Sequence, residues 1–298
     1  MGRFNKEIVF RGAGTALITP MCAEGIDYES FGKLIDDQIA GGVDALVVAG
    51  TTGEGATLTD EEHREVIKFC VEKTAGRVPV VAGTGSNDTA YANDLSRYAC
   101  DVGADALLLV TPYYNKTSPD GLVRHFLSTA EATNKPIILY NVPSRTGINI
   151  PLSVYRELAK HERIVAAKEA SGNISAIAEI AAELSDDLAL YSGNDDQIVP
   201  VLSIGGIGVI SVLSNIMPRE THDICAKYAA GDVEGSRDLQ LKLLKLINLL
   251  FVETNPIPIK EACAMMGMCE NDIRLPLCRM EEGHRKLLEA EMRAQGLI

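Results

Sequence analysis

The sequence lacks the signatures of several large protein classes. Its 41 acidic and 28 basic side chains give a net charge of −13, so it has no basic footprint for nucleic acid or anionic lipid. Its seven cysteines form no Cys-x-x-Cys pair, which argues against a disulfide framework or a zinc site and favours a cytoplasmic protein with reduced thiols. No apolar stretch approaches the roughly 18 residues of a membrane span, so we expect neither a span nor a signal peptide.

Nucleotide and metal motifs are also missing. Gly-Ala-Gly at residues 12–14 lacks the third glycine of the dinucleotide fingerprint, and no Gly-Lys-Ser/Thr follows the glycines of residues 50–55. The five histidines show no metal spacing, and we predict no metal. Asp195 and Asp196 could hold a cation, but adjacent side chains diverge, so a structural role is favoured.

What the sequence contains is a regular alternation of two patterns. Short apolar runs, most of which end in Gly, Thr or Pro, predict strands buried on both faces. They lie at residues 14–20, 44–50, 78–84, 104–112, 136–143, 164–168, 188–193 and 207–212. Helix-like segments lie between and after them, at residues 28–40, 60–74, 88–99, 119–133, 151–160, 174–183 and 218–229.

This alternation predicts an α/β fold. Eight strand–helix units match a (β/α)8 TIM barrel, and an open doubly wound sheet is the alternative. After residue 231 the pattern turns helical, at residues 239–251, 259–266 and 283–294. We therefore divide the chain into a barrel domain, residues 1–231, and a C-terminal helical domain, residues 232–298. The helix at 239–251 is expected to be buried on most sides, and this appendage could form an oligomer contact.

Lys168 follows the apolar run at 164–167, at the end of the predicted sixth strand. A barrel carries its active site at the carboxyl ends of its strands. Dry surroundings favour the neutral amine of a lysine, which makes such a residue a candidate Schiff-base nucleophile. The alternative is a lysine that leaves the strand and reaches solvent.

Other strand ends supply groups that suit an anionic carbonyl substrate. Residues 50–55 offer backbone amides and two threonine hydroxyls for a carboxylate or phosphate, although a plain glycine turn is the alternative. Tyrosines end the fourth and fifth strands, and Arg145 offers a planar fork for a carboxylate; packing tyrosines and a surface ion pair are the alternatives. Glycines at residues 205–208 suggest a phosphate site or close packing. Together with Lys168, the set is what a Schiff-base enzyme needs.

Six motifs make the chain resemble a known family over nearly its whole length. They stand at residues 50–54, 111–115, 140–147, 168–172, 208–211 and 255–260. The family is that of dihydrodipicolinate synthase and N-acetylneuraminate lyase, the pyruvate-dependent class I aldolases. Within this resemblance, Arg145 in Ser-Arg-Thr-Gly implies a synthase, because the sialic acid lyases of the family lack an arginine there. The resemblance implies a lyase of the carbon–oxygen class that condenses pyruvate with L-aspartate 4-semialdehyde in diaminopimelate and lysine biosynthesis.

The resemblance also implies residue roles. Lys168 forms the pyruvate imine, and Tyr140, Thr51 and Tyr114 relay protons, with Tyr114 reaching in from a neighbouring subunit. Substrate is bound by Thr52, Arg145, Ile210 and Gly193. No cofactor is implied beyond the covalent imine, and the usual assembly is a homotetramer built as a dimer of dimers.

A lysine-binding regulatory site is implied in degenerate form. Asn87, Tyr113 and His63 match it, whereas Tyr91 stands where lysine-inhibited members have glutamate. Asp60 and Gly55 replace a histidine and a serine. These differences predict weak or absent inhibition by lysine.

Two other functions remain open on the sequence alone. One is a pyruvate-dependent aldolase acting on a sugar acid, which Arg145 disfavours. The other is a non-catalytic barrel that binds a keto acid, which the intact Lys, Tyr, Thr and Arg set disfavours.

Overall fold

A closed barrel of eight parallel strands organises the chain. The computed structural model describes residues 5–298. The barrel order is β1-β10-β9-β8-β7-β6-β5-β4, and β2 and β3 pair separately as a small antiparallel hairpin. The strands are β1 (Gly12–Ala16), β2 (Met21–Cys22), β3 (Gly25–Ile26), β4 (Ala45–Val48), β5 (Val80–Gly83), β6 (Ala106–Val110), β7 (Ile137–Asn141), β8 (Ile164–Glu169), β9 (Ala189–Ser192) and β10 (Gly208–Ser211). The predicted TIM barrel is confirmed, and the open doubly wound sheet is excluded because β1 pairs with both β10 and β4.

Helices surround this barrel. They are α1 (Tyr28–Gly41), α2 (Asp60–Thr74), α3 (Thr89–Asp101), α4 (Pro119–Ala132), α5 (Pro143–Thr146), α6 (Leu152–Leu158), α7 (Ile174–Leu184), α8 (Ile198–Ser203) and α9 (Pro218–Ala229). Thr59 caps α2 through a reciprocal capping box with Glu62, which satisfies two backbone N–H groups of the first turn. The sequence patterns missed α5 and α8 because four and six residues are too few to show a helical period.

Two apolar clusters explain why the strands read as continuous apolar runs. One fills the barrel interior and includes Val47, Leu108 and Ile138. The other lies between barrel and helices and includes Leu46 and Leu107. Neighbouring residues of one strand thus bury into different clusters, which requires apolar residues at every position.

The glycines before the last strand serve close packing. A Cβ added to Gly208 would lie 2.0 Å from the carbonyl oxygen of Gly12, and one on Gly206 would lie 2.5 Å from the Val201 side chain. Only glycine lets these backbones approach. Close packing, which the sequence offered as the alternative to a phosphate site, therefore accounts for Gly206 and Gly208.

The C-terminal helices are α10 (Val233–Leu249), α11 (Ile257–Met265) and α12 (Glu282–Ala294). Asp232 caps α10 and starts it earlier than the apolar pattern suggested. The expectation of burial on most sides is wrong, because Leu243 and Leu246 are buried but Leu241 is 57% exposed. No helix among the described residues has the length and apolar content needed to cross a bilayer.

Candidate active site

Lys168 and Tyr140 lie side by side at the carboxyl ends of neighbouring strands. They are direct partners in the β7–β8 register. The Lys168 Nζ atom lies 4.2 Å from the centroid of the Tyr140 ring. Lys168 is only 6% exposed and Tyr140 7%. The alternative in which Lys168 extends into solvent is therefore wrong, because its amine lies inside the barrel mouth against the ring of Tyr140.

Asp195 is a buried carboxylate near this lysine. One of its oxygens accepts hydrogen bonds from the backbone N–H groups of Val212 and Leu213, at 3.0 and 2.9 Å. Burial raises the pKa of Asp195, and hydrogen bonds together with the charge of Lys168 oppose that rise. Since its bonds fix the turn after β10, Asp195 has the structural role that the sequence favoured.

The loop after β4 places two threonines differently. Thr51 contributes to the wall of the cavity at the barrel mouth. Thr52 is buried, and its hydroxyl oxygen accepts a hydrogen bond from Asn255 Nδ2 at 3.0 Å. An oxygen that accepts this bond keeps its own proton for donation to another group. Ala49 and Glu54 bracket the turn with φ angles of 55° and 54°, which non-glycine residues rarely adopt.

A buried ion pair fixes this loop to the C-terminal helices. Lys260 Nζ lies 2.5 Å from Glu54 Oε1, and the two side chains are 0% and 1% exposed. Lys260 also donates to the carbonyl oxygen of Asp272 at 2.6 Å. Charges this deeply buried persist only when paired and hydrogen-bonded. Sequence reasoning missed the pair, although both residues belong to the motifs at 50–54 and 255–260.

Arg145 lies on the single-turn helix α5, between Pro143 at its start and Gly147, which ends it with a φ of 68°. Its side chain is exposed and contributes to the cavity wall. Arg145 Nη2 donates to the carbonyl oxygen of Asn255 at 2.9 Å. Asn255 therefore bonds both Arg145 and Thr52, and it joins the loops after β4 and β7.

The two tyrosines after β6 have different surroundings. Tyr113 lines the cavity. Tyr114 is 91% exposed and has a φ of 67°. The backbone after β6 therefore presents the Tyr114 side chain to solvent in a rarely populated conformation.

Ile210 and Gly193 stand at the ends of β10 and β9. Ile210 is buried in the barrel interior. A Cβ on Gly193 would lie 2.7 Å from the Cβ of Ala170, so only glycine fits. The Gly193 N–H donates to the carbonyl oxygen of Glu169 at 2.7 Å, which ties the ends of β8 and β9 together.

A cavity of about 460 Å³ opens at this end of the barrel. Six of the predicted site residues line it: Thr51, Tyr140, Arg145, Tyr113, His63 and Tyr91. Lys168 is not one of the residues that line the cavity, but its Nζ atom lies over the ring of Tyr140, which does line it. Asn255 and Pro256 close one side, so the cavity is shared between barrel loops and the C-terminal segment.

The profile of the Dihydrodipicolinate synthetase family matches residues 9–295. The chain belongs to this family. It is 54% identical over 290 residues to the 4-hydroxy-tetrahydrodipicolinate synthase of Clostridium perfringens, covering 97% of this chain and all of that one. Its fold matches the dihydrodipicolinate synthase of Aquifex aeolicus with a TM-score of 0.95 at 44% identity, covering 97% and 99% of the two chains.

A third similar protein has pyruvate bound in its structure. The dihydrodipicolinate synthase of Acinetobacter baumannii, described as chloride-inhibited and complexed with pyruvate, matches with a TM-score of 0.95 at 40% identity, covering 97% and 99% of the chains. Membership of this family makes the chain a lyase. The predicted carbon–oxygen subclass is wrong, because the lyases of this family are classed among the carbon–nitrogen lyases.

The region of the predicted regulatory site adjoins the cavity. His63 and Tyr91 line it, and His63 Nε2 lies 2.9 Å from the Gly83 carbonyl oxygen. Burial and a hydrogen bond to the Asp60 carboxylate raise the pKa of Tyr91 to about 12. The Asp60 carboxylate thus acts on the Tyr91 hydroxyl, and these are two of the three substituted positions. The carbonyl oxygen of Asn87 accepts from Asn115 Nδ2 at 2.9 Å.

One histidine–carboxylate cluster among the described residues has metal-ligand types. It consists of Glu253, Glu281 and His284. Glu253 Oε1 accepts from the Glu281 backbone N–H at 3.0 Å and lies 2.8 Å from His284 Nδ1. These two bonds tie the start of α12 to Glu253.

Proposed function

We propose that the chain condenses pyruvate with L-aspartate 4-semialdehyde through an imine on Lys168. The main support is the position of Lys168 beside Tyr140 at the mouth of the barrel. The Lys168 Nζ atom lies 4.2 Å from the centroid of the Tyr140 ring, both side chains are buried, and the chain belongs to the family. A nucleophilic amine beside a phenol that can exchange protons is what imine chemistry requires.

Pyruvate binding follows from the loop after β4. The hydroxyls of Thr51 and Thr52 hold the pyruvate carboxylate, with the backbone at Ile210 and Gly193 closing the other side. Asn255 supports this assignment, because its hydrogen bond orients the Thr52 hydroxyl. The amine of Lys168 then attacks the keto carbon, a carbon–nitrogen bond forms, and water leaves.

The carbon–carbon bond forms in the next step. The imine loses a proton from the pyruvate methyl group through Tyr140, and the resulting enamine attacks the aldehyde carbon of the semialdehyde. The aldehyde oxygen takes up a proton and stays as the 4-hydroxyl. The substrate's own amine then attacks the imine carbon and breaks its bond to Lys168, which closes the ring. The imine supplies the electron sink, so we propose no metal or organic cofactor.

Arg145 sets the choice of second substrate. Its guanidinium faces the cavity while one nitrogen is held by Asn255, so its remaining N–H groups suit the semialdehyde carboxylate. This favours the synthase over an aldolase of sugar acids. The substrates place the reaction in diaminopimelate and lysine biosynthesis, and we propose a cytoplasmic enzyme.

A second copy of the chain completes the site. Tyr114 is the exposed tyrosine that would enter the neighbouring cavity and continue the relay from Tyr140 and Thr51. We propose a dimer as the minimal active unit and a tetramer of two such dimers. The helical domain, residues 232–298, exposes Leu241 and Leu287 and offers further contact surface.

Steady-state turnover tests this function. The enzyme should consume pyruvate only when aspartate semialdehyde is present, and it should not cleave sialic acid or a keto-deoxy sugar acid. Cleavage of a sugar acid at a comparable rate would favour the second aldolase function. Binding of pyruvate without turnover of either class would favour the non-catalytic barrel.

A further inference from the structure

The strand that carries Lys168 contains one extra residue. Along β7 and β8, Ile137 pairs with Ile164 and Ile138 pairs with Ala166, so Val165 is a bulge with no partner. Successive strand residues normally face opposite sides, and an inserted residue reverses that alternation beyond it. Bulges often re-aim a side chain next to an active site.

The two apolar clusters show how the bulge changes the side of the sheet that each β8 residue faces. Ile164 packs in the outer cluster, Val165 and Ala166 both pack inside the barrel, and Ala167 packs outside again. Strict alternation from Ile164 would point Glu169 inward and Lys168 outward. With the bulge, Lys168 faces Tyr140 inside the barrel and Glu169 faces the helices.

Glu169, which faces the helices, is surrounded by hydrogen-bond donors that suit a carboxylate. Glu169 is 2% exposed, and its Oε1 atom accepts from the Tyr155 hydroxyl and from Asn141 Nδ2, the latter at 2.9 Å. Its Oε2 atom accepts from the Ser171 hydroxyl at 2.8 Å. Burial raises the pKa of Glu169, and these donors oppose that rise. Three side-chain donors face the group, which matches an acceptor-only carboxylate.

The same network reaches the loop that carries Arg145. Asn141 follows Tyr140 on β7, and its Oδ1 atom accepts from the Ile150 backbone N–H at 3.1 Å. Its Nδ2 atom also donates to Asn149 at 2.7 Å. One buried network therefore lies directly behind both reacting side chains.

We propose that Glu169 is a positioning residue, whose carboxylate, bonded by Tyr155, Asn141 and Ser171 behind the barrel wall, holds the bulged register in which Lys168 faces the substrate. This rests on the proposed imine role of Lys168. Glu169 does not touch pyruvate, so its removal should slow imine formation at saturating pyruvate and leave the half-saturating pyruvate concentration nearly unchanged.

The test is the rate of borohydride trapping with pyruvate, measured by intact mass and mapped to the Lys168 peptide. Glu169→Ala should trap about 10-fold more slowly or worse, since a misplacement of about 1 Å can cost about 100-fold. Glu169→Gln keeps an acceptor for Tyr155 and Asn141 and should stay within about 3-fold of wild type.

Glu261→Ala is the matched control. Glu261 is also a buried carboxylate with side-chain donors, accepting from Arg285 Nε at 2.9 Å, but it lies on α11 away from the bulge. It should lose stability and keep the wild-type trapping rate. Equal slowing in Glu261→Ala, or a folded Glu169→Ala with a wild-type rate, would overturn the inference.

The outcomes separate this inference from the proposed function. Wild-type enzyme that forms no Lys168 adduct refutes the imine role itself. If Glu169→Ala does not fold, as judged by circular dichroism, Tyr155→Phe decides, because it removes one donor and keeps the ring in the core. It should trap about 3-fold more slowly, and an unchanged rate would reject the positioning role.

Discussion

Breaking the buried pair between Lys260 and Glu54 should destabilise the enzyme strongly. Lys260→Met keeps the length and apolar stem of the side chain but removes the ammonium that lies 2.5 Å from Glu54 Oε1. Glu54 would retain the backbone N–H of Arg274 at 3.2 Å on its other oxygen. One weak donor does not compensate a carboxylate that is 1% exposed. Removing one partner of such a pair costs about 3–5 kcal/mol.

The assay is urea unfolding followed by circular dichroism at fixed protein concentration. The double variant Lys260→Met/Glu54→Gln removes both charges and should recover at least about 2 kcal/mol of the loss, because no unpaired charge remains. Lys33→Met is the control: its pair with Glu29 is exposed on α1, and its unfolding midpoint should not change.

The pair also has a functional consequence. Because Glu54 belongs to the loop that carries Thr51 and Thr52, Lys260→Met should raise the half-saturating pyruvate concentration in the protein that remains folded. A loss of less than about 1 kcal/mol, as for an exposed pair, would refute the reasoning. So would a double variant no more stable than Lys260→Met alone.

Three further predictions concern substrate choice, regulation and pH. Arg145→Ala should keep the pyruvate adduct on Lys168 but lose the second substrate; unchanged kinetics for aspartate semialdehyde would refute its role. Lysine should inhibit weakly or not at all, because the neutral phenol of Tyr91 replaces the glutamate that the resemblance implies for binding the lysine ammonium; strong inhibition below a millimolar in a steady-state assay would contradict this. The Arg274 guanidinium lowers the pKa of Glu62 to about 2, so its stabilisation is complete above the unfolded value near 4.5 and is lost as the pH falls toward 2. Urea midpoints should therefore fall less steeply over that range in Glu62→Gln than in wild type, and parallel pH curves would contradict the assignment.

The barrel could be predicted because each of its strands leaves a pattern in its own short stretch of sequence. Each strand is buried on both faces, so it reads as an apolar run, and each run ends in residues that stop a strand. Lys168 stood out for the same reason, as a charge directly after such a run. The start of α10 was misplaced because its first turn, from Val233, is polar and is set by the Asp232 cap.

Other features depend on contacts between distant parts of the chain. The Val165 bulge leaves no mark in the sequence, since an apolar run looks the same with or without an extra residue. That is why the facing of Lys168 and Glu169 could not be derived from the pattern. Lys260 and Glu54 are far apart in sequence, and neither residue alone predicts a buried pair. Burial of Leu241 was overestimated because apolar composition does not show which side of a helix has a neighbour.

The most direct test of the central assignment is borohydride reduction in the presence of pyruvate, followed by peptide mass mapping. We predict one pyruvate-derived adduct per chain, on Lys168, and none in Lys168→Ala, which should also lose nearly all turnover. An adduct on another lysine, or turnover without any trapped adduct, would contradict the mechanism.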